Sequence, residues 1–209
     1  MRDWLDWHTA YDEAGSPLSR RLEIVQGHIR SWLREQQDRP VRVVSACAGQ
    51  GRDLLEVLAT EPSAPSVRAR LVELDPRNVD IARQAAHAAG LPGVEVMCAD
   101  AGWIEAYIGA IPADLVLMCG VFGNISDDDI HRTVDCLPQL CSPGATVVWT
   151  RSRRAPDITP AIRRWLTEAG FTERAFDAPS DALVAVGVHR FAGQPVAAAA
   201  GQRMFEFIV

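Results

Sequence analysis

The sequence predicts an α/β protein with a doubly wound sheet that is mostly parallel and becomes antiparallel at its C-terminal end. From residue 41 onward, short apolar runs alternate with stretches of helical periodicity, the pattern of repeated βα units. The apolar runs are rich in Val and Leu and lack polar alternation, as in strands covered on both faces. The last strand-like stretches follow one another without helices between them, which predicts antiparallel pairing there.

The predicted elements of the core can be placed in order along the chain. The strand-like runs are "VRVVSAC" (41–47), "RARLVEL" (68–74), "VEVMCA" (94–99), "ADLVLMC" (113–119) and "ATVVWT" (145–150). The helical stretches are "RDLLEVLAT", "PRNVDIARQAAHAAG", "SDDDIHRTVDCL" and "TPAIRRWLTEAGF". Pro76 near the start and Gly90 just past the end of the second helical stretch have the asymmetry expected of a helix. Ser126 is the expected N-cap of the third, because aspartates follow it in the first turn.

Two flanking regions complete the predicted domain, a single unit in which residues 1–40 form a helical lid and residues 41–209 form the core. Residues 18–33 carry apolar side chains at helical spacing, which predicts an amphipathic helix. Trp4, Trp7, His8 and Tyr11 precede it and are predicted to cover a surface of the core. In the tail, "FTERAFDA", "ALVAVGVHRF" and "RMFEFIV" are predicted strands, and residues 192–202 are a predicted loop.

Composition excludes several classes of function. All 21 basic residues are arginine, so the lysine of a P-loop and that of a Tyr/Lys reductase are both missing. A formal net charge of −6 argues against a nucleic-acid partner. The five cysteines form no CxxC pair, so we expect no metal site, and Cys47, Cys98 and Cys119 are predicted to be small buried residues. Neither a secretory signal nor a membrane span is predicted, and a cytoplasmic location is expected.

The stretch "SACAGQGRDL" (45–54) predicts a ligand-binding loop after the first strand. Gly49 and Gly51 allow close approach of the backbone, but Leu54 replaces the third glycine of a dinucleotide-binding loop. Glu73 ends the second strand, where a carboxylate can accept hydrogen bonds from both ribose hydroxyls. Asp100 follows the third strand and can accept from an exocyclic amine. These loops predict an adenosine pocket without a pyrophosphate clamp.

At these residues the chain resembles the class I S-adenosylmethionine-dependent methyltransferases, which have a Rossmann-like fold. The resemblance covers roughly residues 41–190 and is carried in order by "VVSACAGQGRDLLEVL", "VELDPRNVDIAR", "VMCADA", "ADLVLMCGVFGNIS" and "SPGATVVWT". It implies contacts of the methionine portion with Cys47, Ala48 and Gly49. It also implies that Glu73 holds the ribose, that Leu74 lies beside the adenine, and that Asp100 and Ala101 read the adenine edge. The general pattern is similar to small methyltransferases of actinobacterial type.

Two departures from this family pattern are visible in the glycine loop. Ser45 and Cys47 stand where the family usually has an acid and a glycine. The missing acid removes a contact with the methionine end that is usually indirect. Cys47 restricts the backbone, so we expect the loop to differ slightly there.

The remaining candidate residues concern the chemistry and the acceptor. His8 is the best candidate for a general base, although positioning alone can drive an in-line methyl transfer. Tyr11 could face the sulfonium, Arg21 could reach the cofactor carboxylate, and Cys119 lies on the cofactor side. The residues predicted for the acceptor are Trp7, Phe122, Asn124 and Arg151.

The predicted acceptor is a small molecule, and the predicted assembly is a monomer or a homodimer. The chain lacks the [DN]PP[YF] run that enzymes of this family use on adenine or amide nitrogen. Two other functions stay open from sequence. The first is a domain that binds S-adenosylmethionine without catalysis, as a partner or regulatory subunit. The second and more distant one is a nucleotide-dependent oxidoreductase.

Overall fold

The computed structural model describes residues 11, 13, 15–37 and 39–208, and its centre is a seven-stranded sheet in the order β3-β2-β1-β4-β5-β7-β6. The strands are β1 (Val41–Ala46), β2 (Val67–Glu73), β3 (Val94–Cys98), β4 (Ala113–Met118), β5 (Cys141–Ser152), β6 (Phe171–Asp177) and β7 (Val184–Phe191). Strands β1 to β5 pair in parallel, and β7 is antiparallel to both β5 and β6. The predicted fold class, with its antiparallel end, is confirmed.

Within the described residues, five α-helices cover the two faces of the sheet. They are α1 (Pro17–Glu35), α2 (Arg52–Leu58), α3 (Pro76–Ala88), α4 (Asp127–Leu140) and α5 (Thr159–Glu168). Helices α1, α2 and α3 bury their apolar side chains in a core on one face, and α4 and α5 contribute to a core on the other face. Because β1 and β4 are neighbours, the strand order reverses between them, and the loops at their carboxyl ends flank a crevice.

Local sequence signals explain where the helices begin and end. The side chain of Ser16 accepts a hydrogen bond from Ser19 N (3.0 Å) and caps α1, which has Pro17 in its first turn. Asp75 caps α3 in the same way, and Ser126 caps α4 as predicted. Gly90 follows α3 with φ of +65°, a left-handed conformation that favours glycine.

The prediction that "RMFEFIV" forms a strand is wrong, because its described residues, 203–208, lie outside the sheet and cross its carboxyl edge. We call residues 201–208 the C-terminal strap. It pairs only through two isolated bridges, Trp103 with Arg203 and Ile125 with Phe207. Phe205 is 2% exposed and packs in a core, so the alternating apolar pattern of this segment is satisfied by packing instead of by a strand partner. The predicted loop at residues 192–202 is confirmed, and β5 begins at Cys141, earlier than predicted.

The prediction that three cysteines are buried is also wrong. Cys98 is exposed, and Cys47 and Cys119 are half-buried, because they follow or end strands at the open carboxyl edge. The buried cysteines are Cys136 and Cys141, and all five thiols are free. Among the described residues, no group of three or more His, Cys, Asp or Glu side chains could hold a metal ion. Within the same part of the chain, no helix is both long and apolar enough to cross a membrane.

Gly187 of β7 packs directly against the side chain of Trp149, and a substitution at Gly187 tests this packing. It lies opposite Trp149 of β5, and an added Cβ would stand 2.2 Å from Cε2 of this buried indole. We expect Gly187→Ala to lower the free energy of unfolding by about 1–3 kcal/mol or more. Gly27→Ala is the control, because nothing lies within 4 Å of its added Cβ in α1, and we expect a gain of about 0.5–1 kcal/mol. Equal effects in chemical denaturation would contradict this packing.

Candidate cofactor site

A cavity of about 600 Å³ opens at the carboxyl edge of the sheet, within the usual size range of ligand pockets. Its floor is made by the residues that follow β1, β2, β3 and β4, and its walls are α1 and the C-terminal strap. The predicted cofactor residues that line it are Tyr11, Arg21, Cys47, Ala48, Gly49, Glu73, Leu74, Asp100, Ala101 and Cys119. The structure therefore brings residues from distant parts of the chain to one cavity.

The backbone of the glycine loop is left-handed at Cys47, Gly49 and Gly51. Gly51 has φ of +72°, and an added Cβ would stand 2.8 Å from both Leu55 Cδ1 and Leu71 Cδ2. Only glycine avoids both the strain and this clash. Cys47 adopts φ of +49°, so the loop keeps a left-handed residue at this position without a glycine. Gly51 does not itself line the cavity, and it acts by turning the chain into α2.

Glu73 connects two loops of the site. Its Oε2 accepts a hydrogen bond from Gly49 N (2.8 Å), and its Oε1 accepts one from Asp75 N (2.8 Å). The residue is 8% exposed and lines the cavity. Each carboxylate oxygen has a second lone pair, so Glu73 can hold the glycine loop and still accept hydrogen bonds from a ligand.

Asp100 is more constrained than the sequence suggested. Its Oδ1 accepts from Gly102 N (2.8 Å), and its Oδ2 lies 3.3 Å from Arg203 Nη2 of the strap. Ala101 beside it is 3% exposed, and its carbonyl accepts from the Tyr107 hydroxyl (2.8 Å). Leu74, in contrast, is 65% exposed and offers an apolar surface at the end of β2.

A polar cluster stands where α1, α2 and the end of β4 meet. Tyr11 and Arg21 are hydrogen-bonded, and the Cys119 thiol lies beside the Asp53 carboxylate. Removal from water raises the pKa of Asp53 to about 6, although the Arg21 guanidinium opposes this shift. Burial also raises the pKa of the Tyr11 hydroxyl and of the Cys119 thiol. This end of the cavity therefore holds the guanidinium groups of Arg21 and Arg52 and a carboxyl with a pKa of about 6.

The predicted acceptor residues are only partly at the cavity. Asn124 lines it, and its Nδ2 donates to the Gly120 carbonyl (2.6 Å). Phe122 is a wrong prediction, because it is 0% exposed and its ring packs 6.0 Å from that of Trp149 in the core. Arg151 does not line the cavity either, because its guanidinium turns to the Phe122 carbonyl. Trp7 and His8 lie outside the described residues.

Sequence reasoning missed several contributions to the cavity, among them Asp53, Asn78 and the strap. Asp53 could have been noticed as an acid in the first turn of the helix that follows the glycine loop. No local sequence pattern predicts the contacts of the strap, because its partners, such as Trp103 and Ile125, lie far earlier in the chain. Met204 N donates to the Gly102 carbonyl (2.7 Å), and Ile208 N donates to the Asn124 carbonyl (2.8 Å). These contacts fasten the strap to the loops after β3 and β4.

A comparison with models of known families identifies the family of the chain. Residues 19–173 match the model of a family described as "Putative methyltransferase". The chain belongs to this family of putative methyltransferases, as its motifs predicted. Among the curated proteins, none matches the chain.

Solved structures share the fold at low sequence identity. Magnesium protoporphyrin IX methyltransferase from Synechocystis, solved with bound S-adenosylmethionine, has a TM-score of 0.64 at 13% identity, covering 91% of this chain and 98% of that one. An O-methyltransferase family protein from Burkholderia thailandensis has a TM-score of 0.63 at 16% identity over 88% of this chain, and the chain spans 57% of its length. The [4+2]-cyclase SpnF has a TM-score of 0.59 at 15% identity, covering 78% of this chain and 80% of that one. The fold is therefore shared by proteins named for different reactions.

Proposed function

We propose that the cavity binds S-adenosylmethionine with its adenosine over the ends of β2 and β3, and that the methyl group is passed to a small-molecule acceptor. The observation that carries this proposal is Glu73, a buried carboxylate tied by both oxygens to the glycine loop and to the turn before α3. A rigid acceptor of this kind suits the paired hydroxyls of a ribose. Leu74 offers an apolar surface to the adenine beside it.

The opposite end of the cavity complements an amino acid zwitterion. The Arg21 guanidinium matches the α-carboxylate of the methionine portion, and the Asp53 carboxylate matches its α-ammonium. Both side chains line the cavity together with Tyr11 and Cys119. Asp53 thereby supplies a negative charge near the methionine end, for which the family uses an acid at the position of Ser45. Tyr11 is placed to shield the sulfonium.

Bound S-adenosylmethionine supplies the methyl group for an in-line displacement by the acceptor. The residues of this chain orient the two reactants and exclude water, and both effects accelerate such a transfer. Asn124 and Phe207 line the cavity beside the loop after β4 and are our candidates for the acceptor side, with Trp7 as a further candidate. His8 stays the proposed base for an acceptor that must lose a proton.

A small acceptor is favoured because the strap and α1 wall the cavity, which limits what can reach a bound cofactor. The net charge of −6 also disfavours a phosphate backbone as partner. Incubation with methyl-labelled cofactor and separate pools of metabolites, tRNA and duplex DNA tests this choice. We expect label in the metabolite pool alone. Label in nucleic acid would overturn the small-molecule proposal, and label in no pool would favour a cofactor-binding subunit without catalysis.

Titration calorimetry tests the cofactor pose more directly. We expect S-adenosylhomocysteine to bind at a single site and NADH to give no binding heat, because the glycine loop has Leu54 where a dinucleotide-binding loop has its third glycine. Leu54 is 0% exposed and lies on the buried face of α2, so this position does not open for a pyrophosphate. Tight binding of NADH would contradict the proposed site.

Asp53 makes cofactor binding pH-dependent in a predictable direction. With a pKa of about 6, its carboxyl is ionised above that pH and can hold the ammonium group, whereas below it the proton removes the charge. The affinity for S-adenosylhomocysteine should therefore fall as the pH drops, by about tenfold one pH unit below the pKa. Asp53→Asn should bind more weakly at neutral pH and lose this dependence. The same pH dependence in wild type and variant, measured by calorimetry, would remove Asp53 from the site.

A further inference from the structure

Asn78 lines the same cavity with a buried side-chain amide. It lies in the first turn of α3 and is 0% exposed. Among the residues that the structure describes, neither Oδ1 nor Nδ2 of Asn78 makes a hydrogen bond. A buried amide of this kind destabilises a protein unless something binds it, so its presence at a cavity points to a ligand.

The helix itself does not use this amide. The cap of α3 is Asp75, whose side chain accepts from Arg77 N (2.9 Å). Asp75 N is in turn held by Glu73 Oε1 (2.8 Å). The turn between β2 and α3 is therefore held by the hydrogen bonds of Asp75 and Glu73. The Asn78 amide takes no part in these bonds and lines the cavity.

This location faces the nucleoside half of the proposed cofactor pose. Asn78 follows β2 by one helical turn, whereas the charged cluster of Arg21 and Asp53 belongs to α1 and α2. Another polar side chain at the nucleoside half is Asp100, and both of its oxygens already face donors, Gly102 N and Arg203. A carboxylate also only accepts hydrogen bonds, whereas adenine presents an amino donor beside a ring-nitrogen acceptor.

We propose that the Asn78 amide hydrogen-bonds the edge of the adenine ring and is a specificity determinant for the base. This inference rests on the proposed function, because it takes the cofactor pose from Glu73. Oδ1 accepts from the adenine amino group while Nδ2 donates to the adjacent ring nitrogen, the pairing that asparagine makes with adenine elsewhere. In the complex, both Oδ1 and Nδ2 of Asn78 are then hydrogen-bonded to the adenine.

The variant Asn78→Leu tests this role, because it keeps the approximate volume and removes both polar atoms. We expect the affinity for S-adenosylhomocysteine to fall by roughly tenfold or more, as for one good bidentate contact to a base. The melting temperature without ligand should stay equal or rise, because a buried unpaired amide is removed. A purely structural role predicts the opposite change in melting temperature. Gln84→Leu on the exposed face of α3 is the control and should leave affinity unchanged.

A double-mutant cycle isolates the contact itself. Its second change is in the ligand, an analogue of S-adenosylhomocysteine with hydrogen in place of the adenine amino group. Wild type should bind this analogue roughly tenfold more weakly, and Asn78→Leu should bind both ligands alike. Asn78→Ala repeats the cycle if the leucine variant does not fold.

The outcomes separate this inference from the proposed function. If wild type binds S-adenosylhomocysteine and the variant keeps both the affinity and the preference for the amino group, Asn78 does not read the base, while the proposed function stands. If wild type does not bind S-adenosylhomocysteine, the cofactor pose fails and the inference fails with it.

Discussion

Replacing Glu73 with alanine is expected to lower the affinity for S-adenosylhomocysteine by about 3 kcal/mol, or roughly 150-fold, since the hydrogen bonds that are lost involve a charged group. The variant loses the proposed ribose contact and also the bond from Gly49 N that holds the glycine loop in place. Glu73→Gln should bind with intermediate affinity, because its amide keeps one oxygen acceptor. Calorimetry on both variants measures the difference.

A matched control distinguishes this effect from a general loss of charge in the sheet. Glu95 is exposed on the neighbouring strand β3 and pairs with Arg70 at 2.9 Å, away from the cavity. Glu95→Ala should leave the affinity unchanged. If Glu73→Ala folds and binds as tightly as Glu95→Ala, Glu73 is not part of the cofactor site.

Phe205→Ala is expected to lower the free energy of unfolding by about 3–5 kcal/mol, the usual result of removing a buried phenylalanine. The Phe205 side chain packs in the core on the α4 face of the sheet and so anchors the C-terminal strap. The Phe205 carbonyl also lies close to Gly102, because a Cβ added at Gly102 would stand 2.3 Å from the carbonyl oxygen. Val196→Ala is the control from the same tail, because Val196 is 55% exposed. Chemical denaturation that gives equal stabilities for the two variants would show that the strap is not part of the folded core.

The sheet and its helices could be predicted because their signals are local. Runs of Val and Leu mark strands that are covered on both faces, and residues such as Ser126 and Gly90 mark where helices begin and end. The positions of Glu73 and Asp100 followed from the same logic, because the carboxyl ends of adjacent parallel strands meet at one edge.

The strap could not be predicted, because its position depends on contacts between distant segments of the chain. The strap reaches the cavity through pairs such as Trp103 with Arg203, and no local periodicity reports a pairing of this kind. Phe122 and Asn124 lie two residues apart in one loop, yet Phe122 enters the core while Asn124 lines the cavity. In an irregular loop, packing decides which side chains point to the core. The loop lacks the regular alternation of side-chain directions that a strand has.

The most direct test of the account is a crystal structure of the protein with S-adenosylhomocysteine bound. We predict the ribose hydroxyls within hydrogen-bond distance of Glu73, the homocysteine carboxylate at Arg21, and its ammonium group at Asp53. A ligand bound in the reverse orientation, or outside the cavity at the carboxyl edge of the sheet, would contradict the proposed site.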